Sequence, residues 1–255
     1  MRHSFLTCAL GFAVLVSNNA IAATVYTSDF AADSTGSSDS SFSSGVIVTT
    51  PNGTNILAGL GPGGSTTLTL TGLASHTEAT LSFTLDVVGS MDGGPASEGP
   101  VFGGGNGDYF DVAYASASTS GNTNVFDYTF ANYGGGETQS YPVLGSAPVT
   151  GATTVNGLGY IGFPSSDPDV NGVPTNVQDA EYDITLTPIV DSNGTISFTF
   201  TDNSNEGASN EFYGIDNVVV TTDAGVSSTP EPATFALVGL GLCFLPVARR
   251  WKSRA

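Results

Sequence analysis

The chain has 255 residues, with 23 Asp and Glu against 5 Lys and Arg and a formal net charge of −18. The basic residues are Arg2, Arg249, Arg250, Lys252 and Arg254, so the long stretch after His3 and before Arg249 has no cationic side chain except His76. Nucleic acid is excluded as a partner, since nothing there can neutralise phosphates, and so is docking of this stretch on anionic lipid. No Lys or Arg salt bridge can form in it, and its self-repulsion must be relieved by spacing, hydrogen bonds or bound cations.

In chain order, Met1-Arg2-His3 is a short positive start, Phe5 to Val16 is apolar, and Ala20-Ile21-Ala22 offers an A-x-A cleavage site. This pattern predicts a signal peptide over 1–22, cut after Ala22, with an apolar core too short for a permanent anchor. Residues 23–223 read as one all-β domain, rich in Thr, Val, Ser, Phe and Tyr and punctuated by Gly, Pro, Asn and Asp. Strands are expected at Val46–Thr50, Ser65–Leu70, Ala79–Val88, Tyr109–Ala115, Val125–Phe130, Tyr182–Thr187, Thr195–Phe200 and Phe212–Thr221. The clearest is Ala79–Val88, with Leu81, Phe83, Leu85 and Val87 on one face and Thr80, Ser82, Thr84 and Asp86 on the other.

Asn193-Gly194 is expected to turn a hairpin between the segments flanking it, while Ser34–Ser44 and Gly93–Gly107 are expected as long loops. Short strands with turn signals and one polar face point to a β-sandwich, specifically a jelly roll. Cys8 and Cys243 lie in the two ends, so the domain is an exported fold without a disulfide, long enough to build its own core. Residues 224–229 form a linker.

The last 26 residues combine Pro230-Glu231-Pro232, an apolar run from Phe235 to Ala248, and a basic end, Arg249-Arg250-Trp251-Lys252-Ser253-Arg254. The prolines keep the tripeptide extended and remove two amide donors. The run is short of the ~20 residues that cross a bilayer comfortably, so a span over about 234–250 is marginal. Arg249, Arg250 and Lys252 form a basic anchor on the cytoplasmic side. This tail resembles the PEP-CTERM sorting domain of exported proteins of Gram-negative bacteria. The resemblance implies an exosortase-type membrane protease as partner, transient anchoring through the tail alone, and delivery to the cell envelope, surface or extracellular matrix. An ordinary C-terminal anchor without processing is the alternative.

A second resemblance rests on Leu73-Ala74-Ser75-His76, Leu81-Ser82-Phe83-Thr84-Leu85, Gly89-Ser90-Met91-Asp92-Gly93, Gly107-Asp108-Tyr109-Phe110, Phe130-Ala131-Asn132, Gln139-Ser140-Tyr141-Pro142 and Phe212-Tyr213-Gly214-Ile215-Asp216-Asn217-Val218. In that order the blocks resemble exported jelly-roll domains related to carbohydrate-binding modules and lectins, with Met91 and Tyr213 standing where tryptophan is common. The resemblance implies extracellular polysaccharide as a partner. A sugar-binding groove would display aromatics such as Tyr109, Tyr114, Phe126 or Tyr133.

Reactive chemistry is sparse between the two ends. One His, no Cys, no Lys and no G-x-S-x-G elbow argue against a nucleophilic triad, and zinc lacks ligands. A glycoside hydrolase, needing only two carboxylates about 5–10 Å apart, is the enzymatic alternative. His76, in a turn between two strands, reads as a hydrogen-bonded structural histidine. Calcium is the candidate cofactor. Asp167, Asp169 and Asn171, followed by Gly172, place oxygens at alternate positions like the first half of an EF-hand loop, and Asp92, Asp108 and Asp111 could converge on one rim with Asp216. Equally, these are Asx-turns in solvated loops. The reading is a non-catalytic surface or matrix protein, with a calcium-assisted carbohydrate-binding module as the alternative.

Overall fold

Alternating apolar and polar residues in short runs can bury one face only by laying sheet against sheet, and the chain does so. The structure, a computed structural model, describes residues 22–33, 35–94, 108–117, 119, 121–132, 137–160, 178–204 and 207–223. These fall in one compact unit, Ala22–Ala224. The leader up to Ile21, residues 95–107 of the expected Gly93–Gly107 loop, the sorting tail, and Asp167, Asp169 and Asn171 lie outside the described residues.

The strands are β1 (Ala23–Ser28), β2 (Val46–Thr49), β3 (Asn55–Ala58) and β4 (Gly64–Thr71). Next come β5 (Glu78–Gly89), β6 (Tyr109–Ser116), β7 (Thr123–Thr129) and β8 (Thr154–Val155). Last are β9 (Asp179–Thr185), β10 (Ile189–Val190), β11 (Thr195–Asn203) and β12 (Glu211–Thr222). No helix occurs among the described residues.

The larger sheet runs β2-β3-β12-β5-β9-β8, with β1 also on β12 and β10 also on β5; the smaller runs β4-β11-β6-β7. Every pairing is antiparallel. The order β3-β12-β5-β9 facing β4-β11-β6-β7 is that of a jelly roll, in which the chain crosses repeatedly between sheets. The expected sandwich is therefore what forms, and all eight expected strands are present with ends shifted by up to three residues.

The core lies between the sheets and is built largely of aromatic rings. Phe83 of β5 meets Phe200, Phe110 and Phe126 of the smaller sheet at 5.4, 6.2 and 6.0 Å between centroids. Phe130 packs on Tyr182 at 4.8 Å, and Tyr213 on Phe110 at 5.3 Å. Tyr114 and Phe126, expected in a sugar groove, are buried in this core; the alternation of β6 and β7 turns them inward with Phe110 and Tyr128. Tyr133 lies outside the described residues.

One further expectation needs correcting. Asn193-Gly194 does not turn a hairpin: β10 pairs with β5 in the larger sheet and β11 with β4 and β6 in the smaller, so the dipeptide carries the chain between sheets. Asn193 serves there as a clasp, its backbone N–H and its Nδ2 donating to the Asp191 carboxylate, each at 2.7 Å. The expected long loop before β2 is present, and from Thr35 to Ser44 it is tied to the sheets. Phe42 enters the core beside Phe30 and Phe200, the Ser43 N–H donates to Thr67 O, and Gly36 and Ile47 donate to Ile47 O and Ser37 O.

Candidate functional site

In a sandwich the residues free to meet a ligand are those on the outward faces, and the smaller sheet presents a coherent one. Its register places Ser65, Thr201, Asp111 and Asp127 in one row across β4, β11, β6 and β7. Asn203, Tyr109 and Thr129 form a neighbouring row. Beyond the Asp row, hydroxyls pair across β4 and β11, Thr67 with Thr199 at 2.9 Å and Thr69 with Ser197 at 3.2 Å. Threonine is there because its branched carbon suits a pleated strand while its hydroxyl satisfies its neighbour across the ladder.

Asp111 and Asp127 are directly opposed, and like charges so placed repel. The Asn203 Nδ2 donates to Asp111 Oδ2 at 2.7 Å. Asp127 is only 5% exposed, and its Oδ2 is buried with no hydrogen-bond partner among the described residues. Burial raises the Asp111 carboxyl above its ordinary value. Burial, followed by the charge of Asp111, pushes Asp127 up to about 6. Burial and the same two carboxylates raise the half-buried Tyr109 hydroxyl. A cradle of oxygen acceptors beside one aromatic ring is equipped to hold hydroxyl donors or a hard cation.

The outward face of the larger sheet carries a second acidic group, which is covered. Asp86 is opposite Glu181, and Asp216 is opposite Thr84. Asp86, on the face expected to be polar, is 1% exposed because Ile56, Ala58, Val88, Leu158 and Phe212 form a small second core on that side. Both its carboxylate oxygens lack hydrogen-bond partners among the described residues. Burial, then the charges of Asp216, Glu181 and Asp179, raises its carboxyl well above the usual range. Burial likewise takes Asp216 to about 6, against the Asn217 N–H that donates to Asp216 Oδ1 at 2.6 Å.

Of the expected calcium rim, the structure brings Asp92 and Asp108 together: the Asp92 N–H donates to Asp108 Oδ2 at 2.8 Å. Asp216 lies apart from them. It sits five residues along β12 from Glu211, whose partner Gly89 ends β5, and at about 3.4 Å per residue this is roughly 17 Å from the end that leads to Asp92. Asp111 pairs instead with Asp127, a residue that sequence reasoning overlooked. Its signal was present: an Asp between Phe126 and Tyr128 in an alternating strand must face outward. Among the described residues, no group of three or more His, Cys, Asp or Glu side chains could hold a metal ion.

His76 is structural. Its Nδ1 lies 2.7 Å from Ala74 O and its Nε2 3.3 Å from Asp191 Oδ1, with both side chains almost wholly buried. Burial pushes the Asp191 carboxyl up, but the Tyr114 hydroxyl and the Asn193 amides outweigh it and leave the carboxyl below its usual range. No protein-family model and no curated protein matches the chain. Among solved structures, the chain is similar to the K3 cleaved adhesin domain of Lys-gingipain (Kgp) from Porphyromonas gingivalis w83, at 11% identity and a TM-score of 0.40, over 78% of this chain and 100% of that one.

Proposed function

We propose that the chain is an exported, non-catalytic cell-surface or extracellular-matrix protein, delivered by an exosortase-type system that reads the Pro230–Pro232 tail. The observation that supports this is where the described strands begin and end. Strand β1 begins at Ala23, one residue after the predicted leader cleavage, and β12 ends at Thr222, eight residues before Pro230. Removing either end therefore takes none of the twelve described strands. The burial of His76 against Asp191 supports a non-catalytic role, since it withdraws the one imidazole of the domain from solvent. The test replaces Pro230, Glu231 and Pro232 with alanine. Uncut precursor should accumulate in the membrane fraction and surface protein should fall at least tenfold; unchanged surface delivery would refute the sorting assignment.

A second reading, that the exported domain binds polysaccharide, draws on the outward face of the smaller sheet, where Thr and Ser hydroxyls, Asn203 and Tyr109 lie around two carboxylates. A glycan array with and without calcium addresses it. Binding lost in Tyr109→Ala supports the face as the site, and binding that survives the substitution places sugar recognition elsewhere.

A further inference from the structure

We infer that Asp111 and Asp127 together bind a divalent cation of the calcium class on the outward face of the smaller sheet. The inference stands on the pair itself and does not require the polysaccharide reading. Asp127 Oδ2 is buried and without a hydrogen-bond partner among the described residues, although a carboxylate oxygen is a strong acceptor and costly to bury unsatisfied. Its directly opposed neighbour is a second carboxylate rather than a donor. No Lys or Arg lies anywhere between Arg2 and Arg249 to neutralise the two. A proton or a metal ion must do so.

The spacing suits a metal ion. Opposed residues of an antiparallel pair hold their Cβ atoms about 4.5–5.5 Å apart. Two carboxylates whose Cβ atoms stand that close can each turn an oxygen toward one ion, at the roughly 2.3–2.6 Å of calcium ligation. Asn203, already bonded to Asp111, and the Thr201 hydroxyl beside it offer further oxygens, and water fills the remaining positions. With only two carboxylates, the site belongs to the weak class of extracellular modules, with Kd about 10⁻⁴–10⁻³ M. A proton competes with the ion for the carboxylates, so metal binding should weaken in acid. Asp86 offers no comparable site, because apolar Ile56, Val88 and Phe212 pack over its side of the sheet.

The experiment is a thermal melt of the full chain in detergent, with calcium chloride or with sodium chloride at equal ionic strength. At a hundredfold excess over Kd, calcium should raise Tm by about 5–10 °C and sodium should not. Asp127→Asn should melt above the wild type without calcium, because the repulsion is gone, and should lose the calcium shift. Asp111→Asn should also lose it, and Glu78→Gln, an exposed control, should keep it. A calcium shift that persists in both Asp variants, or equal action of calcium and sodium on the wild type, overturns the inference. Should neither Asp variant fold, terbium emission excited through the nearby Tyr109 decides: emission lost in Tyr109→Phe supports the site, and unchanged emission overturns it.

Discussion

His76 shows how one side chain can be singular in this sequence and yet belong to the architecture. Its ring bridges Ala74 O, in the turn before β5, and the Asp191 carboxylate, in the crossing from β10 to β11, so it fastens two loops at one end of the sandwich. Replacing it with alanine leaves a cavity and removes the ring's contact with Ala74 O. The cavity and the lost Nδ1 contact with Ala74 O should cost about 2 kcal/mol, measured by urea unfolding. A loss under 0.5 kcal/mol would mean that the contact is incidental. At this scale the sequence was readable in part. A lone histidine in a predicted turn pointed to a structural role, but its partner lies 115 residues away in sequence and only the fold reveals it. The same holds for Asp127, whose outward direction follows from alternation, whereas its pairing with Asp111 follows from a register that no local pattern encodes.

At the scale of elements, β12 is the strand that organises the larger sheet, and a single irregularity makes this possible. Its pairing with β5 shifts register between Asp216 and Val219, and Asn217 in between has φ of 48°. On one side of the bulge Ile215 pairs with β3; on the other, Val218 to Thr222 pair with β1. Asparagine tolerates that conformation, and its Nδ2 donates to Asp216 Oδ2 at 3.1 Å and Thr84 Oγ1 at 3.3 Å. Asn217→Ala should therefore cost about 1–2 kcal/mol, while Asn217→Gly, free of strain, should cost less; chemical denaturation of both variants tests this. The reverse ranking would put the side-chain bonds ahead of backbone strain. Long strands were legible because Leu81, Phe83, Leu85 and Val87 alternate over a full sheet width. Four-residue β3 and two-residue β8 and β10 were not, because so few residues set no period. Asn193-Gly194 misled for a physical reason: the dipeptide specifies a turn, and a turn can join two sheets as readily as two neighbours within one.

Across the whole molecule, buried acidity governs how stability responds to pH. Burial raises the carboxyls of Asp86, Asp111, Glu181 and Asp202, and takes Asp127 and Asp216 to about 6. Groups that hold protons more tightly folded than unfolded make stability greatest in acid. Stability should then fall as pH rises from the unfolded carboxylate range near 4 through about 6. Asp191 and Asp223, held below the usual range, act in the opposite sense but titrate below that window. Without divalent ions and at constant ionic strength, Tm at pH 5 should exceed Tm at pH 7.5 by about 5 °C. Asp86→Asn should melt above the wild type at pH 8, with the gap closing as pH falls. A flat or inverted profile would mean that these carboxylates are better solvated than their burial implies.

The measurement that bears most directly on the central claim, an exported β-sandwich whose two ends are removable addresses, is the intact mass of the protein recovered from the cell surface or medium. The expected mass lacks residues 1–22 and the segment from Phe235 to Ala255, with the final cut in the Pro230–Pro232 region. Mature copies that all retain the Phe235–Ala255 segment would contradict it.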